Sequence, residues 1–355
     1  MAYLNRLLLK GNEAVVYGAL LAGCDAFYGY PITPASEVAH SSAKLFPMLH
    51  RTFLQAESEI SAINMVIGAS AAGKRVMTGS SGLGISLKQE AVSYLAAFEL
   101  PAVIVDVMRG GPGLGGIQPS QSDYYQATRG VGHGDLRLIV VAPSSVQEMA
   151  SLTATAFDLA DIYRMPAMLL ADGALGQMME PVDFSAFEKH EIPEKPWATV
   201  GHKMARPHNI VNSLFIDPQV LEDSVRERYK RYDVVEEKEV RYEEFCTDDA
   251  DIVLVAFGIT ARICKSAVTA AREAGIKAGL LRPITLWPFP KKPISAVADH
   301  AKALLSVEMS MGQMVDDVRL AVGGKKPVYF YGRTGGMIPS VEEVTAEIKK
   351  LAAAL

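Results

Sequence analysis

"FYGYPITPASEVAH", residues 27–40, sets an aromatic, strand-like run before two prolines and then a stretch that reads as a helix. Pro31 restricts Tyr30 to extended backbone. Thr33 is a residue type that caps helices, and Pro34 suits a first helical position. The order predicted is therefore strand, rigid turn, helix N-terminus. In an open α/β sheet such a turn lies at the carboxyl edge of the strands, where ligands bind. A helix N-terminus there favours an anion such as a carboxylate. The plainer reading, that Thr33 only caps its own helix, is compatible with this one.

The same alternation continues on both sides. "NEAVVYGALLAG" (12–23) predicts a helix with Asn12 as its N-cap and Gly23 at its end. "ESEISAINMVIGASAAGK" (57–74) and "SLKQEAVSYLAAFE" (86–99) predict helices, with the strand "RVMTGSS" between them. "PAVIVDVMR" (101–109), "RLIVVAP" and "MPAMLLAD" are β-branched or apolar runs typical of buried parallel strands, with helix "SVQEMASLTATAFDLADIY" between the last two. The pattern implies a parallel sheet covered on both faces. Residues 183–249 are charged, punctuated by proline, and contain one long polar helix. From 250 the α/β rhythm resumes, with "DIVLVAFG", "KAGLLRPIT", "KALLSVEMS" and "PVYFYGR" as strands. The expected organisation is an α/β domain over 1–182, a charged connector over 183–249 and a smaller α/β domain over 250–355.

Composition narrows the function. A net charge of −5 and scattered aromatics give no footprint for nucleic acid. No apolar run is long enough for a membrane span, and the N-terminus turns polar too soon for a signal peptide. The three cysteines, Cys24, Cys246 and Cys264, have no CxxC spacing, so the sequence shows no zinc or iron–sulfur motif, and the sparse count fits a cytoplasmic protein. No His, Asp and Glu cluster has metal-ligand spacing.

Two more residues stand out. Glu59 opens a helix that is small and apolar almost throughout, and at helical spacing it stacks over Ala62, Ile63 and Val66. That is either a charge favoured by the helix N-terminus or a carboxyl set for proton transfer. Arg109 ends an apolar strand and opens "GGPGLGGIQPSQSDYYQA". It suits a carboxylate clamp, or it pairs with Asp106 or Asp123. The glycine runs "GSSGLG" (79–84) and "GPGLGG" match neither a Walker A nor a dinucleotide fingerprint. "GRTGG" (332–336) reads as a tight turn, and His133 as a structural histidine or one that touches a ligand.

"GNEAVVYGALLAGCDAFYGYPITPASEV", "ESEISAINMVIGASAAGKRVMTGSSGLG" and "VIVDVMRGGPGLGGIQPSQSDYYQA" together resemble the alpha subunit of 2-oxoacid:ferredoxin oxidoreductases, over nearly the whole chain and in the family's order. The resemblance implies a thiamine diphosphate (ThDP) pyrimidine-binding domain followed by a transketolase C-terminal-like domain. It implies CoA-dependent oxidative decarboxylation of a 2-oxo acid, with electrons passed to ferredoxin. Glu59 matches the glutamate that hydrogen-bonds N1′ of the aminopyrimidine, and Pro31 and Ile32 lie beside the same cofactor. Thr33 and Arg109 match the residues that hold the substrate carboxylate.

The sequence contains no GDG…N motif for diphosphate and Mg2+, and no cluster cysteines. In the family these belong to a beta subunit and to gamma and ferredoxin-like delta subunits, so the chain is expected to be half of an active site. The loop after Arg109 looks most like branched-chain (2-oxoisovalerate) members and departs from the "GPSTGLPT"-like loop of 2-oxoglutarate members. Pyruvate and aryl 2-oxo acids stay open. A self-contained transketolase-like enzyme is disfavoured by the missing diphosphate motif. A non-catalytic assembly subunit is disfavoured by the intact Glu59, Thr33 and Arg109.

Overall fold

The computed structural model describes residues 6–129, 131–185, 187 and 190–355. Its strands in chain order are β1 (Arg6–Lys10), β2 (Ala26–Gly29), β3 (Thr52–Gln55), β4 (Val76–Ser80), β5 (Val103–Met108), β6 (Ile139–Val141), β7 (Ala167–Asp172), β8 (Met179–Asp183), β9 (Tyr242–Phe245), β10 (Ile252–Val255), β11 (Ala278–Pro283), β12 (Thr285–Trp287), β13 (Ala303–Glu308) and β14 (Val328–Gly332). The helices are α1 (Gly11–Leu21), α2 (Ser36–Met48), α3 (Glu59–Ala71), α4 (Leu83–Ala97), α5 (Tyr124–Thr128), α6 (Val146–Tyr163), α7 (Gly173–Gln177), α8 (Pro218–Lys238), α9 (Gly258–Glu273), α10 (Lys291–His300), α11 (Met314–Val322) and α12 (Val341–Ala354).

A seven-stranded sheet runs β12-β6-β7-β5-β4-β2-β3 and a five-stranded one β14-β13-β10-β11-β9. The strands from β6 to β3 are parallel throughout. β5 and β7 are buried along their whole length, which is why they read as continuous apolar runs rather than alternating ones. Edge strands cross the sequence boundaries. β12, from the C-terminal half, pairs antiparallel with β6. β9, from the charged segment, pairs antiparallel with β11. One apolar core therefore runs from Leu9 to Val322 and spans both halves.

Two local expectations are corrected. α1 begins at Gly11 with Lys10 as N-cap, whose N–H donates to Glu13 at 3.0 Å. Asn12 is instead fully buried inside the helix and donates to the Pro34 carbonyl at 2.6 Å and to Glu37 at 2.9 Å. α2 begins at Ser36 with Ala35 as N-cap, so Thr33 does not cap it. The Ala35 N–H closes a turn onto the Ile32 carbonyl at 2.9 Å, and the Thr33–Pro34 peptide is cis. Residues 32–35 form a separate turn, with the Thr33 carbonyl held by Arg109 and that of Pro34 by Asn12.

Helices α1 and α6 pack so closely that a Cβ on Gly18 would fall on the Ala150 carbonyl. Gly18→Ala is expected to cost about 1–3 kcal/mol of stability by overpacking, read as a lower denaturant midpoint with an unchanged slope. Among the described residues no helix is long and apolar enough to cross a membrane.

Candidate active site at the carboxyl edge of the large sheet

The neighbours β5, β4, β2 and β3 point the same way, so the segments leaving their carboxyl ends share one edge. The segment after β3 delivers Glu59, that after β2 delivers Thr33, and that after β5 delivers Arg109. Between them lies the turn from β4 to α4, residues 80–84. Glu59 is set by its neighbour: the Ser58 hydroxyl caps α3, accepting from the Ser61 N–H at 3.2 Å.

Glu59 is 6% exposed. No hydrogen bond to its carboxylate occurs among the described residues. Its Oε1 occupies the space where a side chain at position 84 would begin: a Cβ on Gly84 would lie 2.7 Å from Oε1 and would fall on Ser80 Oγ. Glycine at 84 is thus what admits the carboxylate to this edge. The buried hydroxyls of Ser80 and Ser81 also lack partners. Buried polar groups are ordinarily satisfied, so a carboxylate and two hydroxyls left over on neighbouring segments mark a place where a polar ligand completes the bonding. This donor and acceptor set fits an aminopyrimidine, which offers both ring nitrogens and an amino group.

Arg109 is 9% exposed. Its Nη1 donates to the Thr33 carbonyl at 3.0 Å and its Nη2 to the Leu114 carbonyl at 2.9 Å. Arg109 and Thr33 therefore meet, through the Thr33 backbone rather than its side chain. The Thr33 side chain is exposed and carries no bond to the protein among the described residues. Of the five guanidinium N–H groups two are spent on carbonyls, which leaves donors for an anion. The Arg109 side chain also borders Gly82, so Glu59 and Arg109 flank one turn.

Arg109 makes no ion pair with Asp106 or Asp123; these two carboxyls face each other. Asp106 is fully buried in β5 and Asp123 closes the Gly-rich loop. Burial, and then the Asp123 charge, hold the Asp106 carboxyl well above the usual range. Burial pushes Asp123 up to about 6, against a lowering by Asp106, the Gly82 N–H and Arg109. Neither Asp106 oxygen has a well-formed bond from an N–H or hydroxyl donor. One proton shared between the two carboxyls accounts for both facts.

The second half of the chain shapes the loop. Gln121 Nε2 donates to the Phe257 carbonyl at 2.8 Å, and its Oε1 accepts from the Met309 N–H at 3.0 Å. Asp172 accepts from the Ile259 N–H at 2.8 Å. The turn 332–336 touches Gln118 and Gly110. Sequence reasoning set that turn aside and gave Gln121 no role, because nothing local marks a contact formed with residues more than a hundred positions away. It also passed over Lys88, which is fully buried beneath Glu59 with Nζ 3.4 Å from the Glu59 carbonyl. Among the described residues no group of three or more His, Cys, Asp or Glu could hold a metal ion.

The Asp106–Asp123 pair binds its proton more tightly folded than unfolded. Its contribution to stability is full below about pH 4, the ordinary aspartate value, and is lost as pH rises through about 6. Asp123→Asn removes one of the two charges, so the stability lost between about pH 4 and pH 7 is expected to shrink. Denaturant midpoints across that range check this, and a slope as steep as the parent's would mean that no proton is shared.

Comparison with known proteins identifies the family. Residues 17–244 match the family model "Pyruvate flavodoxin/ferredoxin oxidoreductase, thiamine diP-bdg", and residues 250–344 match "Pyruvate:ferredoxin oxidoreductase core domain II". The chain is 53% identical to the ketoisovalerate oxidoreductase subunit VorB of Methanothermobacter marburgensis, over 97% of both chains. Among solved structures, 2-oxoglutarate:ferredoxin oxidoreductase from Magnetococcus marinus superposes with a TM-score of 0.88 at 28% identity; the match covers 98% of this chain and 65% of that one. A split-gene transketolase, an inactive beta4 tetramer, superposes with a TM-score of 0.58 at 13% identity, a likeness of fold alone, over 96% of both chains. The α/β architecture, a ThDP-binding domain with transketolase-like neighbours, is thus the one expected, and the chain belongs to the ThDP-dependent 2-oxoacid:ferredoxin oxidoreductases as one of their subunits.

Proposed function

We propose that this chain supplies one half of a split active site, with Glu59 facing the cofactor's pyrimidine and Thr33 and Arg109 holding the carboxylate of a 2-oxo acid. The observation that carries the reading is the buried Glu59 carboxylate, without a donor of its own at the carboxyl edge of the sheet. When bound, ThDP supplies an electron sink for cleaving the bond between the 2-oxo carbon and the carboxylate. Glu59 would share a proton with pyrimidine N1′ through a hydrogen bond, and Pro31 and Ile32 would lie beside the ring. Arg109 offers charge-assisted donors to the substrate carboxylate until it leaves as CO2. The Thr33 carbonyl fixes the guanidinium, and the exposed Thr33 hydroxyl remains for the same anion.

The partners follow from what this half lacks. Mg2+ and the diphosphate belong on a beta subunit, and [4Fe–4S] clusters on further subunits of gamma and ferredoxin-like delta type that pass electrons to ferredoxin. CoA is the acyl acceptor. The exposed apolar side chains around the site, Ile60, Leu83, Leu87, Leu114 and Ile117, support burial of this edge against another chain. The assembly is cytoplasmic and suited to anaerobic metabolism. Domain limits of 1–182 and 250–355, with a connector between, serve as the working division.

A branched-chain substrate such as 2-oxoisovalerate is the favoured acid. The relative named for ketoisovalerate is 53% identical. Leu114, whose carbonyl accepts from Arg109, is 79% exposed beside the clamp. The loop after Arg109 brings no cation until Arg129, and Arg129 is paired with Asp317 at 2.5 Å. A second carboxylate therefore finds no free charge there. The likeness to a 2-oxoglutarate enzyme keeps that acid as the second reading.

Glu59→Gln is expected to lower 2-oxo-acid-dependent viologen reduction about 100-fold or more while the complex still assembles. Near-normal turnover would remove Glu59 from the chemistry. Arg109→Ala is expected to raise the KM for the 2-oxo acid about 10- to 100-fold, the worth of a hydrogen bond to a charged group. Steady-state kinetics with 2-oxoisovalerate, 2-oxoglutarate, pyruvate and phenylglyoxylate read both the clamp and the preferred acid. An unchanged KM and kcat would make Arg109 a structural tie between Thr33 and Leu114.

A further inference from the structure

Lys88 is the charged group that neither the fold nor the proposed chemistry uses. It lies on the inner face of α4, with Gly84 one turn before it and Ala91, Val92 and Leu95 after it, and is wholly inaccessible. Lysines are almost never fully buried unless paired. Lys88 has one hydrogen bond among the described residues, from Nζ to the Glu59 carbonyl at 3.4 Å, and no ion pair within 4 Å. One long bond does not offset the desolvation of an ammonium, which costs several kcal/mol. The charged group that faces it from α3, the helix packed on α4, is Glu59; Glu90 on α4 itself points to solvent. Gly84 brings the Glu59 carboxylate over the same face of α4 that carries Lys88. A carboxylate without a donor and an ammonium without a counterion thus lie on adjacent turns.

We propose that Lys88 is a positioning residue: its buried ammonium keeps Glu59 ionised, so that the proton shared by Glu59 and the cofactor's pyrimidine nitrogen rests on the pyrimidine. The proposal rests on the reading that Glu59 faces the cofactor. The electrostatics are direct. A cation within a low-dielectric pocket favours the charged form of a neighbouring carboxyl, so the carboxyl yields the shared proton to N1′. Burial lowers Lys88 to about 8, opposed by the Glu59 charge, so the side chain remains mostly an ammonium at neutral pH. A merely structural lysine would serve as well uncharged. An electrostatic one loses its effect when it loses its proton.

The test uses the whole complex with its alpha chain as parent, Lys88→Met, Lys88→Gln or Glu59→Gln. Without cofactor, infrared titration of 13C-glutamate-labelled complex, with Glu59→Gln as the blank, isolates the Glu59 carboxylate. Lys88→Met is expected to move its titration upward while the melting temperature holds or rises, as replacing a buried charge by an apolar isostere often does. With ThDP added, exchange of the thiazolium C2 proton into deuterium oxide is expected to slow at least 10-fold in Lys88→Met. The parent's exchange rate is expected to fall above about pH 8, as Lys88 loses its charge, and the variant is expected to lack that limb. If Lys88→Met does not assemble, Lys88→Gln is read by the same measures. An unmoved Glu59 titration with parental exchange in a Lys88 variant, while Glu59→Gln abolishes exchange, overturns the role of Lys88 alone. Parental exchange in Glu59→Gln overturns the Glu59 reading itself.

Discussion

A carboxylate held on a residue only 6% exposed, with no donor among the described residues, is a constraint that the rest of this chain is arranged around. Glu59 sits at the start of α3, where the helix N-terminus favours negative charge, and the Ser58 cap holds that first turn in place. Glycine at 84 leaves the room, the unpartnered Ser80 hydroxyl lines it, and Lys88 lies beneath. A self-sufficient domain would satisfy such groups internally. Here they are left over on one edge, which is what the proposed split site requires.

The second constraint is the placement of the Gly-rich loop. A loop of small residues has little to pack and would lose much entropy on ordering. This one is pinned at both ends. Arg109 ties its start to the 32–35 turn, and Gln121 ties its end to the second half of the chain through Phe257 and Met309. The Asp106–Asp123 pair adds a third tie, across the β5 strand. The C-terminal half therefore acts on the site without contributing a charged group to it: it decides where the loop can lie. Asn12 does the same for the neighbouring turn, reaching from α1 to the Pro34 carbonyl.

Most of the fold was legible because its inner strands are buried on both faces and read as unbroken apolar runs, and helices α1, α3, α9 and α11 end at glycines. β5 and α9, which stops at Gly275, illustrate this. What was not legible depended on the competition between partners. Thr33 and Asn12 are both good caps by type, yet each is drawn into tertiary bonding that a local pattern does not register. β9 and β12 pair across what looked like domain limits, since an edge strand needs only three or four residues and a free neighbour. Glu59 and Arg109 were visible as charges in apolar surroundings. Lys88 was not, because a lysine on an amphipathic helix reads as solvated, and only the packing of α3 on α4 turns it inward.

The glycines of "GSSGLG" show why motif and mechanism separate. The run resembles a phosphate loop in composition and is none. Its backbone N–H at Gly82 is directed to the Asp106 and Asp123 carboxyls, not to a ligand. Gly84 is required for what it omits, since any side chain there would fall on Ser80 and crowd the Glu59 carboxylate. The turn thus separates two acidic groups with opposite needs. On one side a carboxyl pair lowers its cost by sharing a proton. On the other a single carboxylate has no such partner and is left with the Lys88 ammonium and whatever proton the ligand brings. The physical distinction between the structural carboxyl pair and the carboxyl proposed as reactive lies in that difference of company, on either side of one short turn.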